Sequence, residues 1–383
     1  MLPAESVPPT EAAPGSSTSD CHRAELANTE NVSYVDTRPA TGLRSGMLGG
    51  RQRIEVDMPA AMVDTELIKD AVRSACRAPS LHNSQPWQWV ARRGQLELFL
   101  GLGRAMISDR SGREALIGCG AALDHLRVAT AAAGWQAQVS RFPDPNDPNH
   151  LAAIAFTPVE CVTDSQRSRA SAIWARRTDR LPFIAPMNWE ALEQSLRSAI
   201  DNDAVHLDVM PDDVRHRLAR ASRVAESLRV YDTAYHNELH WWTTPFEATE
   251  GIPYSSLVST VESDRVDVGR AFPMTHNRER RTEVPEDHST ILVLSTDDDS
   301  RLDALVSGDA LSALLLECTV ANLATCPVTH VTELKVTREM IAGLLEEPRR
   351  PQVLVRVGVA PAAAEPPRPT PRRPLNEVLR LEG

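Results

Sequence analysis

Two segments about 190 positions apart constrain the fold of this 383-residue chain more than any other feature. GREALIGCGAALDHLRVATAAAG and SGDALSALLLECTVANLATC both read as helices of similar length rich in small residues, and each precedes further extended sequence. Self-similarity at a fixed spacing points to duplication, two halves descended from one unit. The length agrees, since about 100–200 residues make a typical domain. The expected class is α/β (α+β), a mixed central sheet flanked by helices, in two fused halves. Residues 1–57 read as a disordered extension, 58–165 as the first half and 166–383 as the second.

Local patterns fill in the halves. Asp64 or Thr65 caps a helix whose apolar face is Leu67, Ile68, Ala71, Val72 and Ala75, ending near Cys76. SQPWQWVARRGQLELFL predicts strands over about 87–92 and 96–100 with a turn at Gly94. Ser111 and Glu114 predict a capping box for the first small-residue helix, and Gly134 its stop. Further on, 211–242 reads as one long helix, and 243–288 as an irregular, polar connection of the length that usually serves as a lid. The Pro-rich tail must wrap something to be ordered. The opening 57 residues, rich in Pro, Ser, Thr, Glu and Ala, cannot bury enough surface to offset their ordering entropy. A start at Met47, Met58 or Met62 would remove most of them.

Composition excludes some classes. The formal charge is −11 without any Lys/Arg-rich block, which argues against nucleic acid. No apolar stretch approaches the ~20 residues of a membrane span, and no secretory leader is apparent. Six scattered cysteines read as reduced, mostly buried thiols. A cytoplasmic protein is expected.

Several motifs fail on inspection. GLGRAM places Met106 where a dinucleotide fingerprint needs its third glycine. His236 and His240 in HNELH are one turn apart, but the Glu is misplaced for a zinc motif and no third ligand is apparent. DPNDPNH lacks the Gly and terminal Glu of a calcium loop and reads as a turn. No metal and no side-chain catalytic group are expected.

Two features remain. Arg176, Arg177 and Arg180 flank Thr178 at a helix end, and Arg372 and Arg373 sit between prolines. Solvated charge is the ordinary reading of such pairs; bidentate donors for a phosphate are the alternative. In APSLHNSQPWQWV, Pro79 stops a helix, so residues 80–84 leave amides and small polar groups free ahead of Trp87 and Trp89. Such a loop can meet the polar edge of a planar heterocycle, or be a plain loop over a tryptophan core.

At these residues the chain resembles the nitroreductase-like flavoprotein superfamily, and most closely its Acg-type FMN-binding branch. APSLHNSQPW is similar to the superfamily's APSxxNxQPW loop, RRTDRLPF to its RRSxRxF phosphate motif, LATCPVTH to its GLGTxPxxG segment, and TPRRPLNEV to its C-terminal basic element. The resemblance covers about 62–380 and implies a nitroreductase-like fold holding FMN. Arg176, Arg177, Thr178, Arg372 and Arg373 would hold the phosphate. Ser80, Leu81, His82, Asn83 and Ser84 would line the isoalloxazine, with Gln85 reaching a ring edge or bracing the loop, and Pro327, Val328 and Thr329 would approach N5. Ordinary members build each site from two subunits; here loop and arginine motif are complementary within one chain, which implies a monomer acting as a pseudo-dimer with a single FMN. Thr329 and His330 stand where familiar reductases often have Glu and Gly. The resemblance thus implies an oxidoreductase passing hydride from NAD(P)H through FMN to nitroaromatics or quinones. A non-catalytic protein that stores FMN under a closed lid, or one with no cofactor at all, are the competing expectations.

Overall fold

The computed structural model describes residues 63–92, 95–104, 106–200, 202–244, 249–275, 277–361 and 369–382; the expected extension over 1–57 and the turn at Gly94 lie outside them. Asp64 is the cap of helix α1 (Thr65–Ala75), its carboxylate accepting from Glu66 N. After a 3₁₀ turn at Leu81–Asn83 the chain forms β1 (Trp87–Arg92), β2 (Gln95–Leu100), the long α2 (Arg113–Ala132), β3 (Trp135–Arg141) and β4 (His150–Pro158). Helices α3 (Asp164–Ala175) and α4 (Trp189–Ala199) lead to β5 (Val205–Met210), α5 (Arg215–Arg229) and α6 (Thr233–Trp242). Among its described residues the expected irregular connection holds a two-residue ribbon, β6 (Thr243–Thr244) and β7 (Ile252–Pro253), a 3₁₀ turn at Tyr254–Ser256, and α7 (Thr260–Asp264). Then follow β8 (Thr290–Thr296), α8 (Arg301–Val320), β9 (Ala324–Val328), α9 (Lys335–Ala342), β10 (Arg350–Gly358), α10 (Leu375–Val378) and β11 (Leu379–Glu382).

The expected mixed sheet flanked by helices is present, built as two sheets, one in each half. Their strand orders are β11-β1-β2-β4-β3 and β5-β8-β10-β9. Leaving β11 aside, each half runs first, second, fourth, third, with a long helix between its second and third strands. The duplication inferred from α2 and α8 is therefore repeated in connectivity. One apolar core crosses both halves, taking Trp87, Leu96 and Leu151 from the first sheet, Leu207, Leu292 and Val353 from the second, and the buried faces of both helices.

Those helices meet at glycines for a steric reason. A Cβ on Gly120 would stand 1.9 Å from the Leu305 carbonyl oxygen, and one on Gly308 2.1 Å from that of Ile117. Each glycine thus faces the residue three before the other, the self-complementary contact of a two-fold pair. One turn on, Ser312 Oγ donates to Asp124 Oδ2 at 2.6 Å.

Beyond its fourth strand each half crosses to the other. After α3, Thr178 bridges to Thr325 beside β9 and Ile184 to Val359. After β10, the tail returns and β11 pairs in parallel with β1, Trp89 opposite Leu379. The tail does wrap something, and its last strand belongs to the first sheet.

Some local expectations are corrected. Ser111 and Glu114 form no capping box; α2 starts after Gly112 at φ +70°, and Asp109 accepts from the amides of Glu114 and Ala115. The side chain of Glu114 is drawn instead to Arg113. The long helix over 211–242 is broken, because the Asp232 carboxylate caps a new one through Tyr235 N at 3.0 Å. Strand β9 was not foreseen. DPNDPNH forms turns in which Asp144 and Asp147 accept from the amides two residues on. Cys76, Cys119, Cys318 and Cys326 are free and buried, whereas Cys161 is disulfide-bonded, against the expectation of reduced thiols. Among the described residues no helix is long and apolar enough to cross a membrane.

Candidate functional site

The loop after α1 is held in an unusual backbone. His82, Asn83 and Gln85 all have positive φ, at 50°, 58° and 51°. Non-glycine residues in that region cost about 1–3 kcal/mol each and persist where the surroundings over-determine them. Here they do. Gln85, fully buried, accepts from Arg373 N at 2.9 Å and donates to Thr249 O at 2.9 Å. Asn83 donates to Gly251 O at 3.0 Å and Pro371 O at 3.1 Å. The loop is thereby fastened to the 243–288 connection and to the tail at once. Ser80 Oγ accepts from Gln85 N, closing the turn.

Beside this loop lie three guanidinium groups. Arg176, at the end of α3, is 5% exposed; it donates to Arg77 O at 3.2 Å, while its Nε and Nη1 have no partner. Arg77 bonds Thr370 O at 3.0 Å and leaves Nε unpartnered. Arg372 spends its donors on backbone carbonyls, those of Cys76, Arg77, Ala78, Thr370 and Pro371. No carboxylate pairs with any of the three among the described residues. Burial, then the like charge of Arg77, pulls the Arg176 guanidinium down to about 10. Arg372 is held well below its ordinary value by burial and by Arg77 and Arg176. The three bound a cavity of about 110 Å³ whose walls also include Asn83, Arg177, Thr178 and Arg180.

A second cavity of about 120 Å³ shares the walls Pro79, Ser80, Thr178, Arg180 and Ile252 with the first. Leu81 and His82 form one side of it, Pro327, Val328 and Thr329 another. The long connection supplies the cover, with Val258, Val266, Arg270 and Phe272 among its contributions. Arg180, at the junction, makes no hydrogen bond among the described residues and lies 5.1 Å from the Phe272 ring centroid.

Underneath sits a buried charge network. Arg270 donates to Tyr235 Oη at 3.0 Å and Thr329 Oγ1 at 3.1 Å and pairs with Glu333, which Arg229 also contacts at 2.8 Å. Burial pushes the Glu333 carboxyl up, but Arg270 and Arg229 outweigh it and hold it well below the usual range. His82 and His330 are kept neutral, chiefly by burial and then by Arg270; His330 is pulled down to about 3 and shares a 2.8 Å hydrogen bond with Ser222.

Most of the residues expected from the sequence therefore converge: Ser80, Leu81, His82, Thr178, Pro327, Val328 and Thr329 at one cavity, and Ser80, Asn83, Arg176, Arg177, Thr178 and Arg372 at the other. Three do not reach a cavity wall. Gln85 braces the loop; Ser84 is buried behind it, its carbonyl facing Arg104. Arg373 turns its guanidinium to Glu377, because that carboxylate is one helical turn away. Arg77, Arg180, Arg270 and Glu333 were not assigned. Arg77 directly precedes the opening loop, and that adjacency was the available signal; nothing local marks Arg270 or Glu333. Among the described residues no metal-binding cluster exists, and His236 instead contacts Val230 O.

No family model matches the chain. A Mycobacterium tuberculosis protein named "Putative NAD(P)H nitroreductase acg" is 56% identical over 327 residues, spanning 85% of this chain and 99% of that one. The chain belongs to the Acg family of nitroreductase-like proteins. A second M. tuberculosis protein with the same style of name is 37% identical over 330 residues, covering 84% of this chain and 94% of its own length. Among solved structures, the FMN-dependent nitroreductase NfnB of Mycobacterium smegmatis in complex with NADPH has a TM-score of 0.36 at 16% identity, over 57% of this chain and 100% of its own. A nitroreductase of Anabaena variabilis reaches 0.41 at 8% identity, over 76% of this chain and 73% of its own.

Proposed function

We propose that the chain is an FMN-dependent oxidoreductase of the nitroreductase type, taking hydride from NAD(P)H and delivering it to nitroaromatic or quinone-like acceptors. The observation that carries this reading is the Arg77–Arg176–Arg372 cluster, positive charge largely withdrawn from water with no carboxylate paired to it among the described residues, opening beside the cavity that Leu81, His82 and Pro327–Thr329 line. A phosphate dianion fits the unpartnered N–H groups of Arg176 and Arg77, with Arg177 and Thr178 adjacent. Arg372 adds charge while its own donors hold the tail to α1. An isoalloxazine fits between residues 80–82 and Pro327–Thr329. The names of the mycobacterial relatives and of the NfnB structure support the same cofactor and reductant.

When bound, FMN supplies the hydride chemistry; the protein supplies binding, orientation and electrostatics. Arg180 and Arg270 place positive charge at the ring cavity, which favours negative charge developing there, a term of the oxyanion-hole kind. His82 and His330, held neutral, are not proton donors at pH 7, and no side-chain acid is assigned. One chain, divided near residue 165, would hold one FMN and act as a monomer.

The test is anaerobic. The purified protein should be yellow and bleach when NADPH or NADH is added. A colourless protein that ignores added FMN would overturn the assignment. A second reading, storage of FMN without turnover, is favoured by the cover: the connection walls the ring cavity and is pinned through Arg270 to a buried carboxylate. Under that reading the flavin stays oxidised for hours with either nucleotide.

A further inference from the structure

The repeated topology places a second cavity where the fold would build the first one again. The cavity beside Leu81 and His82 takes the loop after α1 and the end of β9; the corresponding elements of the other half are the loop after α4 and the end of β3. A cavity of about 230 Å³ lies there, lined by Ile200 and Asn202 after α4, by Arg141 at the end of β3, and by one face each of α2, α3 and α8. No residue of the opening loop or of the paired arginines belongs to it, and its chemistry differs from that of the first cavity.

Two acids and three guanidinium groups face this space: Asp124 and Arg127 from α2, Asp309 from α8, Arg141 from β3 and Arg169 from α3. Asp309 is 7% exposed. One of its oxygens pairs with Arg141; the other, Oδ1, is buried without a partner. Arg141 Nε and Arg169 Nε are likewise buried and unpartnered. Asp124 is already engaged, by Ser312 at 2.6 Å and Arg127 at 3.7 Å. A buried acceptor and two buried donors left open within one cavity ask for a molecule that brings both a donor and an anion, since each unmade hydrogen bond leaves a desolvation cost standing. The remaining walls are hydrocarbon, from Val128, Ala131, Ala199, Ile200, Ala310 and Ala313.

We propose that this cavity binds a small aliphatic α-amino acid, its ammonium on Asp309, its carboxylate on Arg141 and Arg169, and its side chain against the alanine-lined wall. Burial pushes the Asp309 carboxyl up to about 6 in spite of Arg141, so at neutral pH it is charged and ready for a cation. The site is independent of the flavin reading, because it shares no residue with either cavity of the flavin site.

The test is titration calorimetry on the purified full chain with L-leucine, 3-methylbutylamine and 4-methylpentanoate, which keep both charges, only the cation and only the anion. Leucine should give saturable heat, and each analogue should bind at least about tenfold more weakly, as expected when a charge-assisted hydrogen bond is lost. Asp309→Asn should weaken leucine by a similar factor and leave the flavin-to-protein ratio unchanged. Arg169→Gln, on a partly exposed helix face, gives the same reading should Asp309→Asn fail to fold. Absence of saturable leucine heat, equal binding of either analogue, or full affinity in a folded variant overturns the proposal.

Discussion

Two buried arginine clusters in this molecule are resolved in opposite ways. Behind the second sheet, Arg356 lies 2.6 Å from Asp287, Arg215 lies 2.8 Å from both Asp287 and Asp267, and Ser289 and Phe183 N complete the carboxylate's shell. Burial would raise the Asp287 carboxyl, but Arg356 and these hydrogen bonds lower it overall. Beside the opening loop, Arg77, Arg176 and Arg372 are crowded together with no acid paired to any of them among the described residues. The first cluster is complete as folded, so its role is scaffolding. The second is left in electrostatic debt by the fold, and a buried cation without a counter-charge is tolerated where an anion is to arrive.

Four measurements would break or sharpen this contrast. The largest effect is expected from Asp287→Ala, which strands Arg356 and Arg215. Breaking a buried pair by removing one partner costs about 3–5 kcal/mol, so the urea midpoint should fall steeply. A small change would mean the pair is no scaffold. Arg176→Ala should behave inversely: unliganded stability holds or rises as like-charge repulsion is relieved, while FMN retention falls by about 1.5–3 kcal/mol, the worth of a hydrogen bond to a charged group. Equal flavin affinity in this variant would remove the phosphate assignment.

Gly308→Ala probes the seam that brings the second cluster together. Its new methyl would collide with backbone of α2, and overpacking typically costs about 1–3 kcal/mol, read as a lowered melting temperature. A neutral result would mean the α2–α8 contact is looser than described. The smallest effect concerns pH. His330 is held neutral in the folded state, down to about 3, whereas the unfolded chain takes up a proton near 6.5. Stability from this group is present above 6.5 and lost as pH falls below it. Between pH 7.5 and 5.5 the loss should be about 1 kcal/mol, and His330→Asn should remove that slope.

Much of the site was legible in the sequence. Pro79 ended α1 as read, Gly134 stopped α2, and the loop and RRT motif do share two cavities. The failures are of one kind. Ser111 and Glu114 read as a capping box by their spacing, whereas Asp109 takes the amides of Glu114 and Ala115, and Asp232 was overlooked inside an apparently continuous helix. Arg373 was placed at the phosphate, although it turns to Glu377, whereas Gln85 takes the bracing role that was one of its two readings. Arg77 was passed over, though its role depends on Arg176, 99 positions away.

By itself the sequence determined the elements and the doubling of the unit, because helix periodicity, strand alternation and glycine stops act over a few residues. Only the tertiary structure decided how the strands divide between the two sheets, that each half lends a segment to the other, and which arginines pair with no carboxylate among the described residues. Charge compensation is a property of neighbours in space, and here those neighbours come from three distant stretches of chain.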